Sequence, residues 1–241
     1  MFYDLPGAFY HTCRQKSSWM VPGIQDYCTQ SFHEMQRMTI IKTVQDLELT
    51  EAVSIIEKGG LIAFPTDTVY GLAASVFNPQ AIKKLFKVKG RDFNKAIPIL
   101  IGDLKQLDLV TEHFTPTARL LSSRFWPGAL TLVVPIHSRL PAILSPQPTI
   151  GIRMPDHQFT LKLLKATGPL ATTSANISGG RNPLTAGDVK KQLDGKIDLL
   201  IDGGRCPRGI PSTVVDCTQS EIRLIREGII TISEILDTLK K

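Results

Sequence analysis

The sequence predicts an α/β fold in which a twisted mixed β-sheet is flanked by helices. Segments in which apolar residues recur at helical spacing are interspersed with apolar runs of strand length. Some neighbouring strand segments have no helical segment between them, which favours a mixed sheet. The chain has 241 residues, of which 42% are hydrophobic, so we expect one large core.

The first predicted elements are two helices and two strands. Helical spacing of apolar residues predicts a helix over 50–58, with Thr50 as its N-cap. The apolar run 61–64 follows directly as a strand. Pro79 opens a second helix whose apolar residues form one stripe, and a further strand is predicted over 97–101.

In the second half of the chain, proline and glycine mark the breaks between elements. A helical region over 115–124 ends at Trp126-Pro127-Gly128, and a strong strand follows over 129–136. The segment 149–154 alternates, so Arg153 lies on a polar face opposite an apolar one. The remaining predictions are a short strand before 172–176, strands over 197–201, 213–216 and 222–226, and helices over 156–167, 185–195 and after Thr231.

The overall charge favours an anionic partner without identifying it. The formal net charge is +6, and six basic residues against one acid, Asp92, lie between residues 83 and 95. The four cysteines have no C-x-x-C spacing, so we expect no disulfide framework and a cytoplasmic location. No apolar run approaches the ~20 residues that cross a bilayer, so no membrane partner is expected.

Two classes of enzyme lack support in the sequence. The five histidines have no metal-ligand spacing such as H-E-x-x-H, so no metal site is predicted. Ser174 has no G-x-S-x-G setting, so nothing marks it as the nucleophile of a Ser-His-Asp hydrolase.

The segment 1–37 fits poorly with the rest of the chain. It contains three basic and three acidic residues but no apolar h-region, so it resembles neither a secretory signal nor a good transit peptide. A regular pattern begins at Met38. We therefore expect a domain over 38–241, preceded either by a wrongly assigned start or by a loosely attached extension.

Four polar clusters lie at the ends of predicted elements or on the polar face of one strand, where a rigid scaffold can hold binding groups. They are Thr66-Asp67-Thr68, Lys89-Gly90-Arg91 with Lys95, Thr149 with Arg153, and Ser174-Ala175-Asn176. Each also has a structural interpretation: a self-satisfied turn for the first and last, a cationic helix end for the second, and a salt bridge for Arg153.

A resemblance that reaches all four clusters in order identifies a family. The motifs FPTDTVYGLAA, FKVKGR, FWPGALTLVV, GIRMPDH, TTSANISGG, IPSTVVD and LIREG resemble those of the YrdC family of threonylcarbamoyl-AMP synthases, over residues 49–230. The resemblance implies a YrdC-like fold with a large, positively charged concave cavity.

The implied activity is that of a nucleotidyltransferase. L-threonine, bicarbonate and ATP would give threonylcarbamoyl-AMP and pyrophosphate, with Mg²⁺ held mainly through the phosphates. The product would pass to a tRNA threonylcarbamoyltransferase complex, which forms N6-threonylcarbamoyladenosine next to the anticodon.

The resemblance also assigns roles to individual residues. Lys89 and Arg91 are the implied catalytic cations, and Asp67 is expected to shape its turn. The implied L-threonine contacts are Thr68, Arg153, Thr172 and Ser212. The implied ATP contacts are Arg91, Lys95, Thr149, Ser174, Asn182 and Arg226.

The sequence departs from many relatives in three places. Leu100 stands where many have histidine, and Lys95 stands where some have asparagine. The chain ends soon after Ile230, so it resembles the short, single-domain bacterial form.

Two rival functions remain. One is an RNA-binding module that recognises tRNA or double-stranded RNA without ATP turnover. It would need stacking aromatic residues among its lysines, and only Phe86 and Phe93 interleave them. The other is a carbamoyl-transfer role like that of the YrdC-like domain in HypF.

Overall fold

The computed structural model describes residues 38–219 and 221–240. The predicted extension over 1–37 lies outside the described residues, so the two interpretations of that segment remain predictions.

Ten strands of the described residues form one mixed sheet, as predicted. Four strand pairs are parallel and five are antiparallel. The strands are β1 Ile40–Thr43, β2 Ile62–Phe64, β3 Gly71–Ser75, β4 Ile99–Leu100, β5 Leu130–Pro135, β6 Thr149–Arg153, β7 Leu170–Ser174, β8 Leu199–Asp202, β9 Thr213–Asp216 and β10 Arg223–Arg226. Their order across the sheet is β1-β8-β2-β3-β7-β4-β6-β5-β9-β10.

Six α-helices and two short 3₁₀ helices accompany the sheet in the described residues. They are α1 Leu49–Glu57, α2 Pro79–Lys89, α3 Pro116–Phe125, α4 Gln158–Thr167, α5 Ala186–Leu193 and α6 Ile232–Leu239, with 3₁₀ helices at Leu104–Leu109 and Ala142–Leu144. None of these helices is long and apolar enough to cross a membrane.

Two helices begin with capping boxes. In Thr185/Asp188 and in Thr231/Glu234, the threonine hydroxyl accepts from the backbone N–H three residues later, and the carboxylate accepts from the backbone N–H of the threonine. The N-cap predicted at Thr50 is wrong. Helix α1 begins two residues earlier, after an extended Glu48 that makes no side-chain cap, and Thr50 lies inside its first turn.

Two strands were not predicted, for different reasons. Strand β3 has the sequence GLAAS, whose small residues give little alternation, yet four of its five residues are buried between β2 and β7. Strand β1 pairs only with β8 in the described residues and exposes Ile40 and Ile41, so it lacks the burial pattern of an internal strand.

The sheet separates two apolar cores. Successive residues of β2 alternate between them: Ile62 and Phe64 pack with α1 and α4, whereas Ala63 packs on the opposite side with α2, α3, α5 and α6. On β6, Ile150 and Ile152 belong to this second core, which leaves Thr149, Gly151 and Arg153 on the other face as predicted.

Candidate functional site

A cleft of about 210 Å³ gathers most of the predicted binding residues. The four residues expected to contact threonine all line it: Thr68, Arg153, Thr172 and Ser212. Of the residues expected to contact ATP, those lining the cleft are Arg91, Ser174, Asn182 and Arg226. Lys89, Lys95 and Thr149 do not line it.

The turn after β2 is held by Thr66. Its Oγ1 accepts from the backbone N–H groups of Thr68 (3.1 Å) and Val69 (3.3 Å) and donates to the Val69 carbonyl (2.7 Å). The expectation that Asp67 shapes this turn is therefore wrong. The Asp67 carboxylate instead pairs with Arg153.

Arg153 forms the salt bridge that one interpretation of its sequence position predicted, and it also lines the cleft. Its Nε donates to the Gly128 carbonyl (2.9 Å), Nη1 to Thr68 Oγ1 (3.1 Å) and Nη2 to Asp67 Oδ1. Burial lowers the pKa of Arg153 and Asp67 raises it. Arginine keeps its proton in proteins, so the cleft has a fixed cation at Arg153.

Lys89, at the end of α2, is buried rather than open to the cleft. Its Nζ donates to the carbonyls of Ser174 (2.5 Å) and Asn176 (2.7 Å) and to Asn176 Oδ1 (2.9 Å). An ammonium has three hydrogens, so these acceptors use all of them. Burial, with a smaller effect from Arg91, lowers the pKa of Lys89 to about 8. Lys89 thus joins α2 to the turn after β7.

Gly90 ends α2, and the residue after it, Arg91, lines the cleft. Gly90 closes α2 in the left-handed conformation, at φ 59°, which a residue with a side chain rarely adopts. Arg91 then donates from Nε to the Lys95 carbonyl (3.2 Å) and from Nη2 to the Ala96 carbonyl (2.8 Å). Lys95 holds Arg91 through its backbone, while its own side chain is exposed.

A third group of contacts joins β5, β9 and β10. Arg226 donates to the Ser212 carbonyl from Nε (3.2 Å) and Nη2 (2.7 Å), and Ser212 Oγ lies 2.8 Å from Thr131 Oγ1. Thr131 lines the cleft and was not predicted. The available signal was a lone hydroxyl between Leu130 and Leu132 in an apolar strand.

The remaining wall of the cleft is partly apolar. Leu100 is 5% exposed and lines the cleft, so it offers a hydrocarbon surface there. The Thr172 hydroxyl donates to the Leu170 carbonyl (3.0 Å) of its own strand. A Cβ added to Gly71 would lie 2.9 Å from the Thr172 methyl, so glycine is needed for this close approach.

The charge of the lining suits an anionic ligand. Arg91, Arg153 and Arg226 line the cleft, and none of the carboxylates in the described part of the chain does. Within the described ranges, no group of three or more His, Cys, Asp and Glu side chains could hold a metal ion.

The fold and the cleft define a class of protein: an α/β domain whose cleft is lined by arginines and hydroxyl groups from strands and loops, a lining that suits a small anionic ligand. Within that class, the chain belongs to the Sua5/YciO/YrdC family. The family model, described as telomere recombination, matches residues 54–228. The resemblance identified from the sequence motifs is confirmed.

Individual relatives are similar over most of this chain. A threonylcarbamoyl-AMP synthase of Pyrococcus abyssi is 38% identical over 204 residues, which are 82% of this chain and 60% of the relative. One of Bacillus subtilis is 40% identical over 199 residues, covering 80% and 57%. The crystal structure of P. abyssi Sua5 complexed with L-threonine gives a TM-score of 0.80 at 38% identity, covering 83% of this chain and 61% of that one. The chain thus spans about three fifths of these relatives' length.

Proposed function

We propose that the protein is a nucleotidyltransferase, L-threonylcarbamoyladenylate synthase, which makes threonylcarbamoyl-AMP and pyrophosphate from L-threonine, bicarbonate and ATP. One observation carries the proposal: a single cleft holds both the residues expected to contact threonine and most of those expected to contact ATP. Relatives named threonylcarbamoyl-AMP synthase, 38% and 40% identical, support it.

In this proposal the amino acid binds at the Arg153 end of the cleft. The guanidinium would receive the threonine carboxylate, because its planar fork can donate two parallel hydrogen bonds to one carboxylate. The hydroxyls of Thr68 and Ser212 lie on the same lining, and Leu100 offers an apolar surface. Thr172 contributes mainly its methyl group, since its hydroxyl is bonded to Leu170.

ATP would bind at Arg91 and Arg226. Arg91 and Arg226 are each anchored to backbone carbonyls through two of their nitrogens, so fixed cations would face the phosphates. Ser174 and Asn182 complete this part of the lining. Lys95 and Thr149 lie outside the lining, and we retain them as contacts to parts of ATP beyond the cleft.

The chemistry requires alignment more than a protein nucleophile. The threonine amine would attack bicarbonate to give an N-carboxylate and water. One oxygen of that carboxylate would then attack the α-phosphorus of ATP, and pyrophosphate would leave. Fixed cations bring the two anions together and stabilise the charge that develops on the phosphates. We assign Arg91 to that role.

Lys89 has a different role from the catalytic one that the family resemblance implied. We infer that it is a positioning residue rather than a catalytic one, because its ammonium hydrogens are taken by protein oxygens. Mg²⁺ would be held by the ATP phosphates, since the cleft lining offers no carboxylate. Where bound, it would neutralise phosphate charge.

The proposal places the protein in the cytoplasm and passes its product to a tRNA threonylcarbamoyltransferase complex. Direct tRNA binding is less well supported. Of the two aromatic residues among the lysines, Phe86 is buried and stacks against Phe93 with ring centroids 4.6 Å apart, so only Phe93 is exposed for a base.

The test is a mass-spectrometric search for threonylcarbamoyl-AMP after the protein is mixed with ATP, threonine and bicarbonate. Omission of threonine should abolish the product. Arg91→Ala should lower turnover by about a hundredfold or more, the scale of one transition-state donor. The control Arg139→Ala removes an exposed arginine outside the cleft and should not. Salt-dependent tRNA binding without ATP turnover would favour the RNA-binding rival.

A further inference from the structure

Asp67 carries a buried charge whose role is not explained by its own turn. Its side chain is 3% exposed, and Thr66 makes the hydrogen bonds that hold the turn. Asp67 Oδ1 accepts from Arg153 Nη2. Asp67 Oδ2 is buried and has no hydrogen-bond partner within residues 38–219 and 221–240. The contact with Arg153 is therefore the interaction through which this carboxylate can act on the cleft.

The guanidinium of Arg153 is held at three of its five N–H groups. Gly128, Thr68 and Asp67 each accept from a different nitrogen. One N–H on Nη1 and one on Nη2 have no partner in the described part of the chain. Two donors on the two terminal nitrogens are what a bound carboxylate needs for bidentate hydrogen bonds. The orientation of the guanidinium, and of these two N–H groups, thus depends on Gly128, Thr68 and Asp67.

The charges around Arg153 make Asp67 its counterion. Arg208 and Arg226 both lower the pKa of Arg153, as burial does, and Asp67 opposes them. Asp67 also fixes a second group indirectly, because the same guanidinium donates to Thr68 Oγ1 on the cleft lining. Asp67 itself does not line the cleft, so any effect on a ligand passes through Arg153.

We propose that Asp67 is a positioning residue that holds the Arg153 guanidinium, and through it the Thr68 hydroxyl, in the orientation that receives the carboxylate of the amino-acid substrate. The inference rests on the proposed function, since it explains how that site binds its amino acid. It predicts that loss of the charge at residue 67 weakens threonine binding while ATP binding is unchanged.

The test uses Asp67→Asn, which keeps the shape and one acceptor oxygen but removes the charge. Initial rates of threonylcarbamoyl-AMP formation should give a threonine KM raised by about tenfold, the scale of one charge-assisted hydrogen bond, with the ATP KM within about twofold of wild type. The matched control is Asp216→Asn, which removes a carboxylate paired with Arg223 at 3.2 Å outside the cleft and should change neither KM.

A second measurement separates positioning from general loosening of the fold. Calorimetric affinity for L-threonine should fall in Asp67→Asn, whereas affinity for threoninol, which lacks the carboxylate, should not. Equal losses for both ligands would overturn the proposal, as would a wild-type threonine KM in the folded variant.

If Asp67→Asn does not fold, Asp67→Glu decides the question, because glutamate keeps the charge beside Arg153 but displaces the carboxylate by one methylene group. A raised threonine KM with an unchanged ATP KM supports the proposal, and an unchanged threonine KM refutes it. Failure of the proposed function is distinct: wild-type protein would then form no threonylcarbamoyl-AMP at all.

Discussion

Lys89→Met removes the buried ammonium but keeps an unbranched side chain of similar length. In the wild-type protein Nζ donates to oxygens of Ser174 and Asn176 at 2.5, 2.7 and 2.9 Å. Methionine cannot donate, so the Asn176 carbonyl loses its donor, whereas the Ser174 carbonyl keeps the Asn176 N–H and Asn176 Oδ1 keeps the Ser174 hydroxyl. An unsatisfied buried acceptor costs about 1–3 kcal/mol, and relief from burying a charge offsets part of the loss of the other two contacts. We expect the free energy of unfolding to fall by about 1–3 kcal/mol.

Urea denaturation measures that loss, and initial rates at varied ATP measure its consequence. The ATP KM should rise, because Ser174 lines the cleft and its turn is no longer held. The control Lys87→Met alters an exposed lysine of α2 and should change neither quantity by much. If Lys89→Met keeps wild-type stability but loses turnover, Lys89 acts on the phosphates directly and the positioning role is wrong.

Three further predictions follow from individual contacts. Burial lowers the pKa of Lys89 to about 8, so its ammonium is charged below that pH and neutral above it. Rates of product formation should therefore fall as the pH rises through 8, while a constant circular dichroism spectrum shows that the fold persists. Gly71→Ala places a methyl 2.9 Å from Thr172 Cγ2, so stability should fall by about 1–3 kcal/mol in urea and the threonine KM should rise. Thr185→Ala removes the α5 capping box, so stability should fall by about 1 kcal/mol with rates unchanged; slower turnover would contradict this separation of cap and site.

The sequence predicted those elements whose own residues form an apolar run or alternate between apolar and polar. Strand β5 is an apolar run bounded by Trp126-Pro127-Gly128, and β6 alternates between core and cleft, so both could be predicted from local sequence. Strand β3 could not, because Gly-Leu-Ala-Ala-Ser has little β propensity of its own. Its neighbours β2 and β7 supply the burial that makes it a strand.

Most of the residues named from the motifs line the cleft, but the contacts among them were not predicted. The motifs pointed to Arg153 and Ser212, and both line the cleft. Nothing local distinguishes Lys89, whose side chain is buried, from a solvated lysine at a helix end. Likewise, Asp67 follows a threonine in a turn, and only the tertiary structure shows that the threonine holds the turn while the aspartate reaches Arg153. The contacts of Lys89 with Ser174 and of Asp67 with Arg153 join residues far apart in the chain.

Strand pairing determines where the cleft residues that lie on strands meet. Thr131 on β5 and Arg226 on β10 are both in register with Val214 on the strand between them. Arg153 on β6 is opposite Leu100 on β4. A slip of one residue in any of these pairings would turn a whole row of side chains to the other face of the sheet. These binding groups are therefore specified by the same apolar alternation that builds the two cores, and stability and binding should be lost together when that register is disturbed.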